Sequence, residues 1–392
     1  MSSEAQKKRK LRILWGGGVL VVVLLLDFFL KDILPDSSIR QLLMLAAGNV
    51  MVALSLNVIN GMAGQFSIGH AGFVGIGGYT SAILAAHLHQ SFGSGDASFG
   101  RSFVVVPLCL LASALVAGVF GLLVGLPSLR LRGDYLAIVT LGFAEIFRLV
   151  IATAQADSGG GSGVLASIGT SISKLGGQNG YQGINNEGVP LYAGPFWVFG
   201  LAFVMGVVAW RIKFSGWGRA LRALREDEIA AAAVGVDPTR YKVTSFVIAA
   251  VGAGIAGGLL AMMRDGTPVV NPDNYNFQYS FDAITMVILG GSGSVTGAAL
   301  GGVFITFSIK AIELLQATPA VQDLRRAYEA LDLNALRMIV YATILIALMI
   351  LRPEGLLGER ELFQKKKPPP PASKADADTP PDDPVAVAEV KP

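Results

Sequence analysis

Long apolar runs alternate with shorter polar ones from residue 13 to residue 352. A helix needs about 20 apolar residues to cross the hydrocarbon of a bilayer. Runs near that length occupy 13–30, 39–60, 71–89, 103–126, 135–153, 192–210, 243–263, 275–290, 296–314 and 337–352. The pattern predicts an all-α polytopic membrane protein with about ten transmembrane or partly re-entrant helices. The runs at 71–89 and 275–290 each border a glycine-rich stretch, so either is a candidate half-helix.

Charge refines the picture. Lys7, Lys8, Arg9, Lys10 and Arg12 make residues 1–12 a basic, cytosolic N-terminus, and the run after it is expected to stay as the first helix of a membrane domain at 13–362. Arg130 and Arg132 place the turn after the fourth run inside. Arg211, Lys213, Arg219, Arg222, Arg225, Arg240 and Lys242 do the same for the polar loop 211–242. Arg352, Arg360 and Lys365–Lys367 draw the C-terminal end inside, which leaves the 315–335 loop outside despite Arg325 and Arg326. Asp27 and Asp282, close to run ends, are expected to reach headgroups or water. Residues 154–191 read as a Gly-rich outer loop, and 363–392 as a disordered Pro-rich cytosolic tail. Only 15% of the chain is charged, against 52% hydrophobic, at a mean hydropathy of +0.56. A soluble domain carries roughly 25% charged residues. The net charge of +3 calls for no nucleic-acid partner.

Enzyme chemistry finds no foothold in the pattern. Gly291-Ser-Gly-Ser-Val-Thr-Gly297 has no lysine where a phosphate-binding loop needs one and reads as a tight turn. His87 and His89 face apart on a helix, His70 stands alone, and Cys109 lies in an apolar run. No metal or cofactor is expected. Gly64, Gln65, Ser67 and His70 fall in a glycine-interrupted stretch at the membrane boundary. Unwound backbone at that depth must be buried or line a cavity. These residues either flank a solute route or cap broken helix ends. Glu145 and Arg148, spaced i,i+3 in an apolar run, can pair on one face, as a structural ion pair or as part of the pathway.

The polar loop is the most distinctive stretch. Ala230–Val234 favours helix, Asp227 and Glu228 stand at its start, Gly235 suits its end and Pro238 stops continuation. A short helix in water, held between two membrane helices, is a surface for another protein to push on. Arg219-Ala-Leu-Arg-Ala-Leu-Arg-Glu-Asp-Glu-Ile-Ala-Ala-Ala-Ala-Val-Gly235 resembles the transmission loop of permeases from branched-chain amino-acid ABC importers. Gly64-Gln-Phe-Ser-Ile-Gly-His-Ala-Gly-Phe73, Leu129-Arg-Leu-Arg-Gly-Asp-Tyr-Leu-Ala137, Phe281-Asp-Ala through Gly290-Gly-Ser-Gly-Ser294, and Arg352-Pro-Glu-Gly-Leu-Leu-Gly358 are similar to further signatures of that family. They appear in the family's order across roughly residues 39–358. Within it the chain looks like the LivM-type subunit. Thr296 departs from the pattern, standing where a proline is common.

The resemblance implies a non-catalytic permease of the bacterial plasma (inner) membrane. It implies four partner chains: a second permease, two cytosolic ATPases and an extracytoplasmic binding protein that delivers Leu, Ile, Val or a related solute. Arg219, Arg222, Arg225, Glu226, Asp227, Glu228, Ala231 and Gly235 would then meet an ATPase, with the helix over 219–235 as the lever. Urea or short amides are the alternative cargo within the family. An ion-coupled secondary transporter is the alternative outside it, disfavoured by the scarcity of intramembrane carboxylates.

Overall fold

An apolar segment in lipid has to bond every backbone group internally, and only the helix does this within one segment. The computed structural model describes residues 32–93, 99–128, 134–153, 175–316, 355–358 and 360–362, with single residues 27, 318, 343, 346, 347 and 350. Among them ten α-helices follow one another: α1 (Ser37–Leu56), α2 (His70–Ser91), α3 (Phe99–Ser128), α4 (Asp134–Ala152), α5 (Pro195–Phe214), α6 (Gly216–Glu226), α7 (Glu228–Ala233), α8 (Pro238–Ala261), α9 (Phe277–Gly290) and α10 (Val295–Gln316). No strand ladder occurs among the described residues, only two isolated bridges, Tyr181 with Val270 and Ala193 with Met263. The described residues up to Glu361 form one compact unit. The tail expected at 363–392, most of the runs 13–30 and 337–352, the turn 129–133, the outer-loop part 154–174 and nearly all of the 315–335 loop lie outside the described residues.

Seven of the ten expected spans are helices long and apolar enough to cross a membrane. The 71–89 run is one of them, so it is no half-helix. The 275–290 run is different. It holds α9, whose 14 residues reach about 21 Å, short of the roughly 30 Å of hydrocarbon. The 3-10 turn Pro272–Tyr275 precedes it and packs against α2 and α4, so the chain enters the bundle before the helix begins.

α8 is the central helix, packed against α1, α2 and α3. Small residues make that possible, because helices in lipid gain their cohesion from close van der Waals approach. A Cβ on Gly77 of α2 would strike the Gly254 backbone of α8, and one on Gly257 would strike the Val74 carbonyl. Ser81 and Ser113 bond across α2 and α3 at 2.8 Å. Asn49 of α1 donates to Thr306 of α10 at 2.8 Å.

The bundle has two chemically distinct ends. One carries the polar loop together with Gly61–Gly64, the turn Gly291–Ser294 and Gly355–Glu361. The other carries Leu34–Asp36, Tyr181–Gly194 and Met262–Val270, where Arg40 pairs with Asp265 at 3.2 Å. Asp27 belongs to this second end but does not reach water. Its side chain is 4% exposed and faces Arg264 at 3.7 Å, because a carboxylate at that depth needs a cation more than a headgroup. Asp282 is half-buried and accepts from Gln278, one turn earlier on α9, at 3.1 Å.

Candidate coupling and translocation site

A single residue joins the membrane helix α5 to the polar loop. Ser215 is extended, and its hydroxyl caps α6 by accepting from Gly218 N–H at 3.1 Å. Gly218 is needed there because a Cβ would strike the Ile212 carbonyl. Trp217 stacks on Tyr241 of α8 at 6.3 Å between ring centroids. The joint is therefore short and stiff at both of its attachments.

The loop is two helices rather than one lever over 219–235. The break is at Asp227, which adopts φ −152° and ends α6. Its carboxylate accepts from Ile229 N–H at 2.8 Å and Ala230 N–H at 3.0 Å, so the same residue starts α7. An N-cap of this kind outcompetes helix continuation because it satisfies donors that are otherwise orphaned. Gly235 closes α7 at φ +89°, a conformation open to glycine. Asp237 caps α8, and Pro238 occupies its first turn.

The eight loop residues singled out from sequence divide by direction. Glu226 and Glu228 are exposed, Glu228 pairing with Lys242 at 2.6 Å. Gly235 is exposed, and Arg219 donates to the Phe214 carbonyl at 3.3 Å. Asp227 is exposed at the break. Ala231 is not on the outer surface. It is 3% exposed, because α7 lays one face against α6 and α8. Arg222 is half-buried and reaches the Lys213 carbonyl at 3.4 Å. Arg225 also turns inward. The outward face instead shows Ile229 and Val234, 84% and 79% exposed.

Arg225 locates the joint between loop and membrane core. Its guanidinium donates to the Gly61 carbonyl at 2.8 Å. Gly61 belongs to a π-helix, Asn57–Met62, that continues α1. A π-helix leaves carbonyls poorly placed for the normal ladder, and such segments gather at functional sites. Asn57, in the same segment, accepts from Gly293 N–H at 2.9 Å and donates to the Ser294 carbonyl at 3.0 Å. The turn Gly291–Ser294 then meets Glu361. That carboxylate accepts from Val295 N–H at 2.8 Å, Thr296 N–H at 2.9 Å and Ser294 hydroxyl at 3.2 Å, and it pairs with Lys213 at 2.5 Å. Burial works against its charge, but the Lys213 and Thr296 bonds and the Val295 N–H win and hold the carboxyl below its ordinary value of 4.5. The polar loop, α1, α9, α10 and the C-terminal end of the unit thus share one hydrogen-bonded ring.

The helix break lies next to that ring. Ala63–Gly69 are non-helical between the π-helix and α2, and Gly64 sits at φ +67° against the Arg225 side chain. Asn60 and Ser67 exchange two bonds, at 3.2 and 3.3 Å, across the break. His70 Nε2 meets Ser55 Oγ at 2.8 Å. The Ser67 bonds thus span the break, while the His70 bond joins the start of α2 to α1. Gln65 differs, because its buried Oε1 has no partner among the described residues. Glu145 is not brought to this group. It binds Arg148 at 2.5 Å, and Arg148 also reaches Asp273 at 3.0 Å near the opposite end.

Sequence reasoning missed Asn57, Lys213 and Glu361 as members of one network. No local signal marks them, since Glu361 lies 148 positions from the lysine it neutralises.

The sequence profile of the family described as branched-chain amino acid transport system permease component matches residues 38–349. The chain belongs to this family. It is similar to the high-affinity branched-chain amino acid transport system permease protein LivM of Salmonella typhimurium, 34% identical over 79% of this chain and 67% of that one. The probable branched-chain amino acid transport permease protein LivM of Methanocaldococcus jannaschii is 25% identical over 80% and 91%. The permease protein LivH of Escherichia coli is 31% identical over 38% and 42%. No solved structure matches significantly. A LivM-type permease is a membrane conduit and carries out no covalent chemistry itself.

Proposed function

We propose that this LivM-type permease works in a bacterial inner membrane as one of two permeases in an ATP-driven importer of Leu, Ile, Val or a closely similar amino acid. Two ATPases on separate chains dock on the α6–α7 loop, and a binding protein delivers the solute at the opposite end. The Arg225 bond to the Gly61 carbonyl carries this reading. It ties a stiff, outward-facing loop to the residues that begin the break Ala63–Gly69. Movement of α7 by a docked ATPase pulls on α6. The pull passes through Arg225 to the π-helix, where a non-standard ladder yields at lower cost than an α-helix. Ile229 and Val234 give the docking ATPase an apolar grip at the tip.

Uptake of radiolabelled leucine into proteoliposomes tests the proposal. This chain with its second permease, ATPases, binding protein and ATP is expected to accumulate leucine. The chain alone is expected to stay idle under any ion gradient, and accumulation there would make it a secondary transporter instead.

A further inference from the structure

Three tyrosines line the seam between α2 and the start of α9. Tyr79 lies 6.3 Å from Tyr275, and Tyr275 lies 6.4 Å from Tyr279, between ring centroids. Phe147 of α4 closes one side, edge-on to Tyr79 at 6.2 Å. Glycine makes the approach possible. A Cβ on Gly78 would strike the Tyr275 hydroxyl, and one on Gly75 would lie 2.6 Å from the Phe147 ring.

The hydroxyls of Tyr79 and Tyr279 are buried and have no hydrogen-bond partner among the described residues. Tyr79 is 3% exposed. Buried tyrosine hydroxyls ordinarily find a partner, and an orphaned one costs about 1–3 kcal/mol. Phenylalanine would fill the same volume without that cost. Two orphans on one seam are accounted for if another state of the protein supplies what they bond.

The seam also holds a helix N-terminus. α9 starts at Phe277, capped by Asn276, whose side chain accepts from Tyr279 N–H at 3.0 Å, and its first turn carries no acidic residue. The positive end of a helix favours an anion. Tyr279 stands in that first turn. Tyr79 faces the turn Pro272–Tyr275 that feeds it, its ring 6.3 Å from that of Tyr275.

We propose that this seam holds the carboxylate of a branched-chain amino acid during passage. The Tyr79 and Tyr279 hydroxyls donate to the carboxylate at the start of α9. The rings of Tyr275 and Phe147 face the aliphatic side chain. Here the tyrosines fill the seam themselves, which makes this the closed arrangement; the site opens when the segment leading into α9 separates from α2. The inference rests on the cargo read above.

The test uses the complete complex in proteoliposomes, with leucine as the probe and Tyr79→Phe, Tyr279→Phe and the double variant. Leucine uptake at saturating binding protein is expected to fall roughly tenfold in each single variant and further in the double. Thermal midpoints of the purified permease pair should stay level or rise, since an orphaned hydroxyl is removed. Wild-type rates in the Phe variants overturn the site and leave the importer reading intact. Midpoints that fall in step with uptake also overturn it, by making the hydroxyls packing groups. A wild-type complex that moves no leucine sinks the importer reading itself.

Discussion

Lys213 Nζ and Glu361 Oε1 lie 2.5 Å apart, with side chains 4% and 0% exposed. They join the end of α5 to the last residues of the compact unit, at the junction where α6 begins. Removing one partner leaves the other charge buried without its ion-pair partner. Lys213→Met or Glu361→Gln is expected to cost about 3–5 kcal/mol. Lys213→Met combined with Glu361→Gln should cost clearly less than the two single losses summed, because neither charge is then stranded. Thermal unfolding of the detergent-solubilised permease reads both effects, and strictly additive losses would mean the pair is not coupled.

The same carboxylate sets a pH dependence. Its folded value lies below the ordinary 4.5. A depressed acid contributes stability that is full above the unfolded value and is lost as pH falls through the folded one. The melting temperature is therefore expected to be flat near neutrality and to drop below about pH 4.5. Glu361→Gln should flatten that acid limb. A limb of unchanged depth in the variant would assign it to other carboxylates.

Arg225 should separate coupling from folding. Arg225→Lys keeps the charge but loses the planar donor geometry that meets the Gly61 carbonyl. In the assembled complex, ATP hydrolysis is expected to persist while leucine uptake per ATP falls severalfold. Equal loss of hydrolysis and uptake would place Arg225 in docking rather than transmission.

The loop tip makes the opposite prediction. Ile229 and Val234 are almost fully exposed, so Ile229→Asp and Val234→Asp should leave the melting temperature unchanged while weakening co-purification of the ATPases. Ala231 is buried, and Ala231→Leu should lower the melting temperature instead. Normal co-purification with both Asp variants would move the docking surface elsewhere.

Glycines of the core differ in what they tolerate. A Cβ on Gly257 meets the Val74 backbone, whereas one on Gly48 meets the end of the Leu260 side chain. Backbone cannot swing aside as a side chain can. Gly257→Ala is expected to prevent accumulation of folded permease and Gly48→Ala only to lower its stability, as membrane yield and size-exclusion profiles would show.

The apolar periods of the chain were enough to give seven membrane-length helices, their approximate limits and the polar loop, because in lipid an apolar segment has one way to satisfy its backbone. Asp227 and Gly235 were readable as local capping chemistry for the same reason, being decided by neighbours within four positions. Distant packing decided the rest. Whether Arg225 points to a partner or to Gly61, and which lysine answers Glu361, depend on elements more than a hundred residues apart meeting at one end of the bundle. No linear pattern carries that information. The short α9 was half legible: its glycine border announced a break. Only the packing of the turn Pro272–Tyr275 against α2 and α4 settled that the chain enters the bundle before α9 begins.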